Sequence, residues 1–146
     1  MGALSLHTKI CMNYAVVHTI LSKKLDGCLS AHGISFSEFM ILFQLSQTEG
    51  KMMRRIDLAE RIGLSASGVT RIVSPMEKIG LVRKEANKRD ARVSLVKLSA
   101  AGQRIFDESS VSVNVAAEHV LAALSERRTH EMLKSLVAIG GGSVAE

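Results

Sequence analysis

The sequence predicts a mainly α-helical fold with one small β wing, and three observations carry that expectation. Val69, Ile72, Val73 and Met76 recur at i, i+3, i+4 and i+7, while Ser67, Thr70, Arg71 and Ser74 repeat that spacing on roughly the opposite face. Two strand-like runs, Leu81–Ala86 and Val93–Leu98, flank the basic stretch Asn87-Lys88-Arg89-Asp90-Ala91-Arg92. Composition is the third: 47% of residues are hydrophobic, yet there is no Trp, one Tyr and one Pro. Such a core is aliphatic and Met-rich, which suits helix-on-helix packing.

In chain order, a long helix is expected from about Ile10 to Ala31. Ile10, Tyr14, Val17, Leu21 and Leu25 form its stripe, widened by Val16 and Ile20, and Gly33 breaks it. Ser35 with Glu38 three residues on is a capping box, and Ile34 and Phe39 sit where a hydrophobic staple would join. The helix that follows, to about Gln47, is apolar on several sides and should be buried; residues 48–51 read as a loop. Asp57–Ile62 is a short helix ended by Gly63, and Ser65 caps the helix that starts at Ala66. Two helices across a tight turn, then a basic loop between paired strands, make the pattern of a winged helix-turn-helix. Ser99 caps a further long helix running through Phe106, Val113, Ala117 and Val120 to Leu124. Ser125 caps a last one carrying Met132, Leu133, Leu136, Val137 and Ile139, before Gly140-Gly141-Gly142 and a loose tail.

Charge follows the same map. The chain is +5 overall, but residues 51–104 hold 13 Lys and Arg against 5 Asp and Glu, net +8, and the remainder is net −3. A basic patch on a helix-and-wing segment is what a phosphate backbone requires, so double-stranded DNA is the expected partner. The terminal helices carry more apolar surface than a small winged domain can cover; Val111, Val113, Val115, Val120 and Leu121 spread around more than one side. The expectation is a single domain over residues 1–146. A winged helix-turn-helix core occupies about 35–98, and dimerisation helices occupy about 1–34 and 99–146. Pairing of the end helices across a two-fold axis would set two recognition helices about 34 Å apart, facing a palindromic site. No apolar run reaches about 18 residues, so no membrane span is expected. With no signal-peptide pattern at the N-terminus, the cytoplasm is the default compartment.

The chain resembles the MarR family of bacterial transcription regulators. The resemblance lies in Ile56-Asp57-Leu58-Ala59-Glu60-Arg61-Ile62-Gly63-Leu64, in Val69-Thr70-Arg71 and in Glu77-Lys78-Ile79-Gly80-Leu81-Val82-Arg83. It continues in Lys88-Arg89-Asp90-Ala91-Arg92, similar to the family's Asp-x-Arg wing, and in Leu98-Ser99-Ala100-Ala101-Gly102, close to its Leu-Thr-x-x-Gly. It implies a homodimeric winged-helix regulator, often a repressor, in some members released by a small-molecule effector or an oxidant. Two residues depart from the pattern. Pro75 inside the recognition helix removes a backbone hydrogen bond at about 3 kcal/mol, so a kink or an early tightening is expected there. Gly68 costs about 1 kcal/mol against Ala but permits close approach to a phosphate or base.

Arg71 is the candidate for base reading, since Arg pairs bidentately with guanine; the alternative is a phosphate contact or an internal ion pair. Ser65, Ser67, Gly68, Thr70 and Ser74 complete the helix surface, with phosphate the simpler partner for the hydroxyls. Lys88 and Arg89 are expected on phosphates and Arg92 in the minor groove, with Asp90 holding Arg92 or fixing the turn. Cys11 lies near the position where the family's organic-peroxide sensors carry a reactive cysteine. The tyrosines those sensors add correspond here to Leu25 and Phe36, leaving only Tyr14 one turn away. As a possible redox residue Cys11 therefore competes with a plainer role as a small hydrophobe, and Cys28 reads the same way. The five His residues lack ligand spacing, so no metal or other cofactor is expected. No Ser-His-Asp, Walker or dinucleotide pattern points to an enzyme.

Overall fold

The computed structural model describes residues 2–144. Its elements are α1 (Leu6–Leu29), α2 (Phe36–Ser46), β1 (Met52–Arg54), α3 (Arg55–Ile62), α4 (Ala66–Lys78), β2 (Val82–Ala86), β3 (Ser94–Leu98), α5 (Ala100–Val120) and α6 (Glu126–Leu136). Each α helix but α3 begins at a serine cap. Ser35 and Glu38 exchange the reciprocal bonds of a capping box, and the Ser65, Ser99 and Ser125 hydroxyls accept the Gly68, Gly102 and Arg128 amides.

Helix α1 starts at Leu6 rather than near Ile10, because Ser5 caps it through the Thr8 amide. It closes at Leu29, and a single tight turn, Ser30–His32, leads to Gly33. Asp26 then accepts the Phe36 amide at 2.7 Å, fixing the angle between α1 and α2. Helix α5 ends at Val120, four residues before the expected Leu124, and α6 gives way at Val137 to a wider turn. The loose tail expected after Gly142 begins as a single tight turn, Gly142–Val144, and Ala145 and Glu146 lie outside the described residues.

One strand went unread in the sequence. Met52–Arg54 pairs antiparallel with β3, Met53 opposite Val96, making a three-stranded sheet in the order β1-β3-β2. Its existence depends on a partner more than forty residues later. Helix α3 consequently begins at Arg55, directly out of the strand, and not at Asp57. The wing hairpin is in register from Val82↔Leu98 to Ala86↔Ser94.

The core sits where these elements converge. Leu29, Ile41, Leu42, Leu45, Leu58, Val69, Val73, Met76 and Val96 are wholly buried. Phe39 and Phe43 of α2 pack against Phe106 of α5, ring centroids 5.2 and 6.1 Å away. The ends of the chain lie outside this core. From Leu6 to Ile20 helix α1 is exposed, and α6 buries no residue at all. No single helix among the described residues is long and apolar enough to cross a membrane.

Candidate nucleic-acid interface

Helix α4 divides cleanly by face. Val69, Val73 and Met76 are fully buried, whereas Ser67, Thr70, Arg71 and Ser74 are exposed. Burial of the apolar face holds the helix in place, and the polar face is left to solvent. Among the described residues Arg71 forms no ion pair, so its guanidinium keeps its donors for a partner. Thr70 and Ser74 donate to the Ala66 and Thr70 carbonyls at 3.1 and 2.9 Å. Each hydroxyl thus turns its lone pairs outward and must rotate to donate to a phosphate. Ser65 and Ser67 share a bond of 3.1 Å at the exposed N-terminus. Gly68 is half-buried beneath that cap; a Cβ there would lie 3.2 Å from the Ser65 hydroxyl, a local reason for glycine beyond any approach to DNA.

At Pro75, where a kink or an early tightening is expected, α4 continues without interruption to Lys78. Pro75 is exposed, so its ring faces water and not the core. Tightening comes only at the end. The Gly80 amide donates to Glu77 O and the Leu81 amide to Met76 O, a Schellman closure that requires Gly80 at φ 79°.

The wing forms a second, separate group of cations. Lys88, Arg89 and Arg92 are exposed at its tip. Asp90 Oδ1 accepts both the backbone amide and Nε of Arg92, at 3.0 and 3.2 Å, while Asn87 Oδ1 accepts the Arg89 amide at 2.9 Å. Two Asx-type bonds thus shape the loop and hold the Arg92 guanidinium at its base. Cys11 is exposed on a different element, α1, while Leu25 is in the core and Phe36 packs against it. Cys28 is half-buried, and burial together with the charge of Asp26 pushes its thiol up.

Several cations counted in the basic segment are already neutralised within the fold. Arg54 pairs with Asp57 at 2.9 Å and Arg55 with Glu77 at 3.0 Å; Glu85 lies near Arg83 and Lys97. The hydrogen bond from Arg54 holds the Asp57 carboxyl below its ordinary value. Arg54 with Asp57, i and i+3, and Arg83 with Glu85, i and i+2 on one strand, carry a local signal. Arg55 and Glu77 stand 22 residues apart, and nothing in the sequence joins them.

A family model for MarR matches residues 34–94. The transcriptional repressor Rv2887 of Mycobacterium tuberculosis is 25% identical over 124 residues, which cover 85% of this chain and 88% of that protein. A MarR regulator from Streptomyces coelicolor solved in complex with DNA superposes with a TM-score of 0.85 at 19% identity, covering 97% of this chain and 91% of the other. CouR from Rhodococcus jostii, solved with p-coumaroyl-CoA bound, gives 0.80 at 20% identity, covering 94% and 96%. Residues 34–94, the segment that holds α4 and most of the wing, thus match the MarR family model, and the described fold is similar to that of solved MarR-family winged helix-turn-helix regulators.

Proposed function

We propose that the chain is a homodimeric repressor that binds a palindromic operator in double-stranded DNA. The observation that carries this reading is the division of α4: a buried aliphatic face and an exposed face of Ser67, Thr70, Arg71 and Ser74, with Arg71 outside any ion pair among the described residues. That face enters the major groove with Arg71 on a base edge; Ser65, Gly68 and the hydroxyls line the adjacent backbone. Lys88 and Arg89 contact phosphates, and Arg92, steadied by Asp90, reaches the minor groove. Residues of about 35–98 form the reading unit, and the flanking helices form the dimer.

The dimer rests on exposed apolar side chains concentrated on those flanks, with Ile56, Leu64 and Ile79 the exposed large ones within the reading unit among the described residues. Leu6, Ile10, Val16, Val17 and Ile20 of α1 face solvent together with Val111 and Val115 of α5 and Leu133 and Leu136 of α6. A monomer leaves that surface in water; a second copy covers it. CouR binds a small acyl-CoA, and a small effector acts here by favouring one separation of the two recognition helices over another.

The test is binding across a salt series, with oligomeric state measured by light scattering. Affinity falls steeply with salt through counterion release, and Lys88→Ala lowers the slope by about one. A flat salt response, or a monomer that binds DNA as tightly as the reading requires, overturns it.

A further inference from the structure

We propose that Ser99 and Gly102 are positioning residues that set the separation of the two recognition helices, and so the half-site spacing of the operator. The proposal rests on the dimeric DNA-binding reading above. The Schellman closure of α4 uses the Met76 and Glu77 carbonyls and leaves those of Gly80 and Leu81 directed onward. Ser99 takes both. Its hydroxyl lies 2.6 Å from Gly80 O and 2.9 Å from Leu81 O, and its amide donates to Leu81 O at 3.1 Å. The same hydroxyl accepts the Gly102 amide at 3.0 Å and so starts α5. One side chain therefore ties the exit of the recognition helix to the entrance of a flanking helix.

Gly102 makes that contact close. A Cβ on it would lie 2.1 Å from the Leu81 carbonyl oxygen and 2.7 Å from Leu98 Cδ1. The first of these is backbone, so no rotamer change relieves it; the α4–α5 angle must open. Helix α5 has 21 residues, about 30 Å at 1.5 Å per residue. A tilt of about 6° at its base displaces its far end by about 3 Å, close to one base-pair step. The joint is thus the short end of a lever between dimer and DNA.

The experiment selects half-site spacings from a random pool of double-stranded DNA with the full-length wild type and three variants. Fold and oligomeric state are checked by circular dichroism and light scattering. Ser99→Thr keeps a donor and an acceptor and should return the wild-type spacing. Ser99→Asp still caps α5 by accepting the Gly102 amide, but a carboxylate cannot donate to Gly80 or Leu81. It and Gly102→Ala should return the same half-site bases with a shifted or broadened spacing. Their affinity for the wild-type spacing should fall about tenfold, as simultaneous engagement of both half-sites is lost. Wild-type spacing and affinity in folded Ser99→Asp and Gly102→Ala dimers would overturn the proposal. So would failure of both to fold while Ser99→Thr folds, which assigns the contact to stability alone. A wild type that selects only an unpaired half-site, or no motif, removes the dimeric reading itself and this inference with it.

Discussion

Arg55 and Glu77 meet at 3.0 Å with about a fifth of each side chain exposed, and Arg55 Nη1 is buried without a partner among the described residues. Removing the carboxylate leaves a largely buried guanidinium with no counter-charge. Glu77→Ala should lower stability by about 1–3 kcal/mol, below the figure for a fully buried pair because water still reaches both groups. Chemical denaturation measures it; an unchanged midpoint would show that the pair contributes nothing. Asp57 behaves differently, being half-exposed and held below its ordinary value of 3.8, chiefly by its hydrogen bond from Arg54. The sign follows from the lowered value: the Asp57 contribution is complete above 3.8 and is lost as the pH falls through the lowered one. Asp57→Asn should therefore lose that small, solvent-screened contribution at neutral pH, converge with the wild type in acid, and so flatten the acid limb of a stability–pH curve. Of these two pairs the sequence showed neither as a pair, because both were counted only as charge. Which residues face solvent on α4 was readable, since it follows from periodicity alone.

Helix caps are local chemistry, and they were the most legible features at the scale of elements. Ser35 with Glu38, Ser65, Ser99 and Ser125 all cap where their sequence context places them. Ser5 caps by the same rule, yet the sequence reading starts α1 four residues later, where the apolar stripe sets in. Strand β1 was not legible, because three residues gain strand geometry only by pairing with β3. Pro75 is the opposite case: a strong local breaker overridden by tertiary packing, with Val73 and Met76 anchoring α4 on both sides of it. Its missing amide leaves the Arg71 carbonyl without its helical donor. Pro75→Ala restores that bond at an exposed site, and thermal melts should show stabilisation of about 1–3 kcal/mol. A lower melting temperature would mean that the proline's rigidity is itself required by the fold.

Across the whole molecule, most exposed large apolar side chains lie on the terminal helices, while Ile56, Leu64 and Ile79 are exposed within the basic segment. The terminal helices expose aliphatic side chains, while the +8 segment carries the recognition helix and the wing. Composition and charge partition made that division readable in advance. Which cations are free for phosphates was not readable, because it depends on the pairs that form on folding. The proposed mechanism joins both surfaces, dimerisation fixing where two α4 helices meet DNA. Selection of binding sites by the wild type, Arg71→Ala and Arg92→Ala tests it most directly. The wild type should return a palindrome with half-site centres about 34 Å apart. Arg92→Ala should bind more weakly yet keep the base preferences, because groove width sets the energy at the wing. Arg71→Ala should lose preference at one or two symmetric positions, worth about 1–3 kcal/mol of discrimination each. An Arg71→Ala motif identical to that of the wild type would contradict base reading from α4.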